Sequence, residues 1–213
     1  LRRVFNIPVD KIQVIYLGVD AQRFQNIERD KIEKLKQNYH LKTPFILFFG
    51  NVEKRKNVEG LLSAWQVFQQ RYHSDCRLVV AGRVIDKQLP AKYPDVKFLG
   101  YIPEDEKPQL YQAALAFVYP SYYEGFGLPI LEAMVAGLPV ITSFSTALPE
   151  IGKQSVLLVD PYNTQEIAEA IHQIVTDERL RQHLSKKAQS SGQEFSWSET
   201  ARKTLELFNS IYN

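Results

Sequence analysis

Short runs that are apolar on both faces alternate with longer amphipathic stretches along this chain: FILFFG at 45–50, RLVVAG at 77–82, VKFLG at 96–100, LAFVYP at 115–120, PVITS at 139–143 and SVLLVD at 155–160. Strands buried in a parallel sheet read this way, and parallel strands need crossovers such as the helical stretches between them. The pattern predicts an α/β class: a doubly wound parallel sheet of about six strands with helices on both faces. Such sheets take ligands beyond the carboxyl ends of their strands, where the loops after Gly50, Gly82, Gly100 and Pro120 gather. Residues 28–40 read as a charged helix. VEGLLSAWQVFQQRY at 58–72 carries Leu61, Leu62, Trp65 and Phe68 at helical spacing, a core-facing stripe rather than a cofactor box. Residues 164–213 read as two or three helices, with Trp197 opening the last.

Composition adds limits. At 213 residues and 45% hydrophobic, the chain buries a core of its own, and suits one large domain or one with appendages. A net charge of +2 from 26 basic and 24 acidic residues gives no general drive towards nucleic acid or a membrane surface, so recognition must be local. The single cysteine, Cys76, has no internal disulfide partner and lies beside LVVA as a small core residue, which fits a reducing, cytosolic setting. No apolar stretch approaches the ~20 residues of a membrane span, and LRRVFNIPVD lacks the apolar segment of a signal peptide. Leu1 stands where a methionine would, and LRRVFNI reads as the end of a helix, so the chain is expected to be part of something longer.

The chemistry gathers around Glu124 and Glu132, separated by the seven residues GFGLPIL. Pro129 lacks a backbone N–H and has φ pre-set for a helix start, so a helix is expected from Leu128 or Pro129, with Glu132 in its first turn. Gly125 and Gly127 clear side chains from the approach and leave backbone N–H groups to face an anion at the positive helix end. Glu124 stands at the entrance. Two carboxylates facing a phosphate would repel it, so their partners are better sought among hydroxyl pairs: the diol of a ribose and those of a hexose. The macrodipole alone favours a first-turn Glu by roughly 0.3–1 kcal/mol, so the glycines carry the ligand argument.

Lys54, Arg55 and Lys56 follow the first strand and precede Asn57, the expected N-cap of a helix from about Val58. A basic run is usually a solvated loop; at the carboxyl end of a strand and beside a helix start, it can clamp a diphosphate, with Arg55 and Lys56 as the candidates. The backbone of Gly100, Tyr101 and Ile102 either borders a base or forms a simple turn before a helix at Pro103. The histidines, His40, His73, His172 and His183, are scattered, three of them in polar helical stretches. With no zinc spacing and no Asp-x-Asp motif, the chain is expected to work without a metal or other cofactor. Walker, GxGxxG and nucleophile-elbow patterns do not occur, so any nucleotide is held by separate loops and serine hydrolysis is rejected.

SYYEGFGLPILEAMVAGLPVITS strongly resembles the retaining glycosyltransferases of family 4, with a complete E-x7-E motif. In order along the chain, VIYLGVD with Phe24 resembles that family's interdomain connection, GNVEKRKN its diphosphate loop, VLLVDP the segment after its last strand, and FSW at 195–197 the start of its closing helix. The resemblance runs from about residue 12 to the end. It implies the C-terminal, donor-binding half of a GT-B fold: residues 1–25 as interdomain connection and the end of a missing N-terminal domain, 26–195 as a Rossmann-like nucleotide-sugar-binding domain, and 196–213 as a closing helix. By residue, it implies Glu132 on the ribose, Glu124 on the donor sugar, the amides of Gly125, Phe126, Gly127 and Leu128 on sugar and diphosphate, and Tyr101 and Ile102 near the base. Lys56 with Arg55 would neutralise the leaving diphosphate, in a loop opened by Gly50 and Asn51. Many relatives carry an arginine where Asn51 stands, a departure that bears on the first diphosphate contact.

The implied activity is transfer of a hexose, mannose or glucose, from a nucleotide sugar such as GDP-mannose or a UDP-hexose to a glycan or lipid-linked acceptor. Acceptor contacts would lie mostly in the missing domain, so this part should bind donor yet transfer little alone. The implied setting is cytoplasmic, peripheral on the cytoplasmic face of the membrane for the full-length protein, with no span in this part and no nucleic-acid partner. Two other readings compete: a non-catalytic nucleotide-sugar-binding or regulatory module, and glycoside hydrolysis by two carboxylates. The latter needs an acid and a base on opposite sides of a scissile bond and suits two glutamates at one helix end poorly.

Overall fold

The computed structural model describes residues 2–212, and each of the six apolar runs forms a strand: β1 (Phe45–Phe49), β2 (Arg77–Ala81), β3 (Lys97–Gly100), β4 (Ala116–Tyr119), β5 (Val140–Ser143) and β6 (Leu157–Val159). All pairings are parallel, in the order β3-β2-β1-β4-β5-β6. Among the helices, α1 (Arg2–Phe5) and α2 (Arg29–Asn38) precede the sheet, and α3 (Val58–Tyr72), α4 (Leu89–Lys92), α5 (Lys107–Ala113), α6 (Leu128–Val135) and α7 (Leu148–Gly152) connect successive strands. Then come α8 (Thr164–Thr176), α9 (Glu178–Gly192) and α10 (Trp197–Tyr212). The tail thus holds three helices, and Trp197 does open the last.

The chain moves outward from β1 to β3, then returns to place β4 against the other side of β1. Right-handed crossovers therefore put α3 and α4 on one face and α5, α6 and α7 on the other. Contacts agree: α8 returns to lie on α3, α9 lies on α6, and α2 lies on α5. The reversal leaves a crevice between the carboxyl ends of β1 and β4, the place where such sheets bind ligands. The strands that form it have fully buried interiors, from Ile46, Leu47 and Phe48 to Phe117 and Val118. Cys76 is buried as expected, and desolvation pushes its thiol up to about 11.

Some local expectations are corrected. Asn57 occupies the N-cap position of α3, but in the left-handed region (φ 54°), and its side chain does not cap the helix. It donates instead to the Pro161 carbonyl at 2.6 Å, tying the loop after β1 to the one after β6. The helix expected at Pro103 begins four residues later, at Lys107. His40 and His73 sit in the left-handed region just past α2 and α3 rather than within helices.

The segment from Tyr16 to Val19 runs beside the start of α10. Val19 N–H donates to Phe195 O at 3.0 Å, and Thr200 Oγ1 donates to Tyr16 O at 2.7 Å. The two backbones come so close that a Cβ on Gly18 would lie 2.1 Å from Trp197 N. Beyond the crossing, Leu205, Phe208 and Ile211 of α10 are exposed.

Candidate functional site

The loops after β1 and β4 meet at the switch point, and the predicted residues lie on them. Gly50, at φ +143°, ends β1, and a Cβ there would lie 2.7 Å from Lys56 Nζ. Its missing side chain lets the lysine fold back over the loop, where it is 8% exposed. Desolvation holds the Lys56 amine below its ordinary value, and no carboxylate among the described residues lies within ion-pair distance of it. A cation so placed is available to an anionic ligand. Asn51 is exposed, with Oδ1 accepting from Arg83 N–H at 3.4 Å, so it braces the loop after β2 against the loop after β1.

Arg55 crosses the crevice. Its Nη1 lies 2.7 Å from Glu124 Oε1 and its Nε 3.2 Å from Glu53, while its backbone carbonyl accepts from Tyr122 N–H at 2.8 Å. The hydrogen bond to Glu124 pushes the guanidinium further up its range. Two residues expected to face different parts of a ligand are thus paired with each other. Glu124 Oε1 also accepts from Tyr119 O–H at 2.8 Å and Ser121 O–H at 3.4 Å, and its backbone N–H donates to Thr146 Oγ1 at 3.0 Å. Burial, then the Glu124 charge, drives the Tyr119 hydroxyl well above the ordinary phenol range, so it remains a donor.

The helix starts at Leu128 with Pro129 in its first turn, as expected. Gly127 is its N-cap at φ +108°, and a Cβ there would lie 2.7 Å from the Leu148 side chain, so both conformation and space demand glycine. The N–H groups of Gly125, Phe126, Gly127 and Leu128 meet no protein acceptor among the described residues, leaving a row of donors between Glu124 and the helix. The Phe126 side chain turns away towards Tyr16 and Phe195, with ring centroids 6.2 and 6.1 Å distant, so only its backbone serves the row.

Glu132 corrects the sequence reading. It is the fifth helical residue, one turn past the dipole end, and the first turn carries no acidic residue. What stabilises it comes from α5: Lys107 Nζ lies 2.7 Å from Oε1, and Tyr111 O–H donates to Oε2 at 3.2 Å. Neither partner was foreseen. Burial raises the Glu132 carboxyl, while Lys107 and Tyr111 draw it back down. Near the expected base position, Tyr101 is 77% exposed, whereas the Ile102 side chain is buried in the core, so Ile102 offers a ligand only its backbone. Among the described residues no His, Cys, Asp and Glu group is arranged to hold a metal ion, and no helix is long and apolar enough to cross a membrane.

Residues 30–191 match the family model for Glycosyl transferases group 1. O-antigen chain mannosyltransferase B of Escherichia coli is 32% identical over 97% of this chain. The chain spans 56% of that relative's length and about a quarter of the length of several other relatives, serotype-specific mannosyltransferases of the same organism. In structure, the chain is similar to the C-terminal domain of a glycosyl transferase group 1 family protein from Francisella tularensis, at 30% identity and TM-score 0.68, over 82% of this chain and 96% of that one. A glycosyltransferase from Rickettsia africae shares the fold at 23% identity and TM-score 0.89, over 100% of this chain and 60% of that one.

Proposed function

Because the chain belongs to the glycosyl transferases group 1 family, we propose that it is the donor-binding part of a retaining enzyme that moves a hexose from a nucleoside-diphosphate sugar to a glycan or lipid-linked acceptor. One observation carries the reading: at the switch point, Arg55 joins the loop after β1 to Glu124, and the free N–H groups of residues 125–128 continue from that carboxylate to the start of α6. Cations and unengaged amides suit a diphosphate, and flanking carboxylates suit hydroxyls.

In this reading Lys56 and Arg55 neutralise the diphosphate as the bond to the anomeric carbon breaks, so catalysis here is electrostatic stabilisation of the leaving group. Arg55 then exchanges part of its pairing with Glu124 for phosphate oxygens. That frees lone pairs of Glu124 for the hexose hydroxyls, while Glu132 takes the ribose diol and Tyr101 flanks the base. Mannose is favoured as the sugar by the mannosyltransferase relatives, with GDP-mannose ahead of a UDP-hexose. Residues 1–25 and 196–213 connect to a second domain that supplies the acceptor site, which fits the exposed apolar residues of α10. The whole protein would work at the cytoplasmic face of a membrane.

The test is a panel of sugar nucleotides scored by thermal stabilisation, since a ligand bound only by the folded state stabilises by about 2.7 kcal/mol at a hundred times its Kd. GDP-mannose should raise the midpoint, and calorimetry should then show Glu132→Ala weakening both GDP and GDP-mannose while Glu124→Ala weakens mainly the latter. If no sugar nucleotide stabilises the chain, the proposal fails. Binding without transfer by any longer form of the protein would favour a regulatory module.

A further inference from the structure

We propose that Lys107 and Tyr111 are positioning residues that hold Glu132 as an acceptor for two adjacent ribose hydroxyls; the inference rests on the ribose reading given above. Lys107 is the first residue of α5, where a cation opposes the helix dipole, so its place needs another cause. Contact with Glu132 is that cause. The lysine side chain is 11% exposed, its Nζ is 2.7 Å from Oε1, and it lies 5.0 Å from the centroid of the Phe49 ring. Glu104, mostly exposed, is the other carboxylate near it, at 3.9 Å.

A carboxylate offers about four lone-pair sites, two on each oxygen. Lys107 takes one on Oε1 and Tyr111 one on Oε2, which leaves one acceptor on each oxygen. A vicinal diol presents two donors at that spacing. The ion pair also keeps Glu132 in its accepting, ionised form at a site where its side chain is 16% exposed and desolvation works against charge. The ionisable groups bearing on Glu132 are Lys107, Tyr111 and Glu104. Tyr111 is fully buried, its hydroxyl driven well above the phenol range, so it stays a donor throughout.

The experiment compares calorimetric affinities for GDP and UDP with those for their 2′,3′-dideoxy forms. Wild type should prefer the ribo form by about a hundredfold, about tenfold for each of two hydrogen bonds to a charged group. Lys107→Met should shrink that ratio towards one at the acidic end of a pH series. It should recover as pH rises, because without the cation the carboxyl loses its proton only at higher pH. Lys107→Arg should keep the ratio. A Lys107→Met protein with the wild-type ratio at every pH overturns the positioning role and leaves the ribose reading standing. A wild-type ratio of one overturns the ribose reading, and with it this inference. If Lys107→Met does not fold, Tyr111→Phe keeps the buried ring and removes one donor; an unchanged ratio in that variant has the same overturning force.

Discussion

Glu124 and Glu132 each accept from one cation and one tyrosine hydroxyl, yet the two settings differ in where the cation lives. Arg55 is 45% exposed beside a Glu124 side chain that is 11% exposed, whereas Lys107 and Glu132 are 11% and 16% exposed. An exposed cation can be drawn to another anion without being stranded itself, and the enclosed carboxylate it leaves keeps the Tyr119 and Ser121 hydroxyls as donors. An enclosed pair resists opening, because each charge left behind would be stranded out of water. The loop carboxylate is therefore built to exchange its partner, and the helix carboxylate to keep it. Within the proposed function, that separates a contact that changes as the leaving group forms from one that only holds the nucleotide.

The largest expected effect that could break this contrast is on stability. Glu132→Ala strands the Lys107 ammonium and should cost about 3 kcal/mol, the low end for a broken buried pair. Glu124→Ala returns Arg55 to solvent and orphans the buried Tyr119 hydroxyl, so about 1–2 kcal/mol is expected. Urea unfolding of both variants decides, and equal losses would erase the distinction.

A second effect separates the two cations beside Glu124. Lys56 is held below the ordinary lysine value by burial, so its charge disappears as pH rises through that lowered value, while Arg55 stays charged. Calorimetric affinity for GDP should fall as pH rises through that lowered value, before an ordinary lysine would titrate, and Lys56→Arg should flatten the curve. Folding should move the other way. Between the lowered and ordinary values the unfolded chain binds more protons, so stability contributed by this group rises with pH. A fall in affinity that persists in Lys56→Arg would assign the titration elsewhere.

The smallest stability effect belongs to Arg55→Met, which should cost about 1 kcal/mol in the same unfolding experiment, because the enclosed Glu124 keeps the Tyr119 and Ser121 hydroxyls. Its GDP affinity should nonetheless drop several-fold. A large loss of stability would mean that Arg55 is a fixed strut rather than an exchangeable partner.

The fold was legible where burial acts through local pattern: six apolar runs became six strands, and α3 spans the predicted Val58–Tyr72. The loops of the site were legible through glycine and proline, whose backbone demands are local, as Gly50, Gly127 and Pro129 bear out. Long-range partners were not. Lys107 and Tyr111 lie 25 and 21 residues before Glu132, and only the crossover from β3 to β4 brings them to it. The one local sign was a lysine opening a helix after the acidic run EDE, against the dipole. Asn57 misled for the same reason: its cap role followed from neighbours in sequence, but Pro161 lies 104 residues away.

The crossing at Gly18 bears on how the molecule is made. Val19 bonds to Phe195 across 176 residues, and neither that bond nor the contact of Gly18 with Trp197 can form until residues 195–197 have left the ribosome. A sheet already folded between them would shorten the loop to be closed and so lower the entropy cost of closure. Of the parts joined at this crossing, the segment around Gly18 is thus synthesised well before its partner and fastened only after residue 197 has emerged. A chain ending before residue 195 would leave it without its backbone partner.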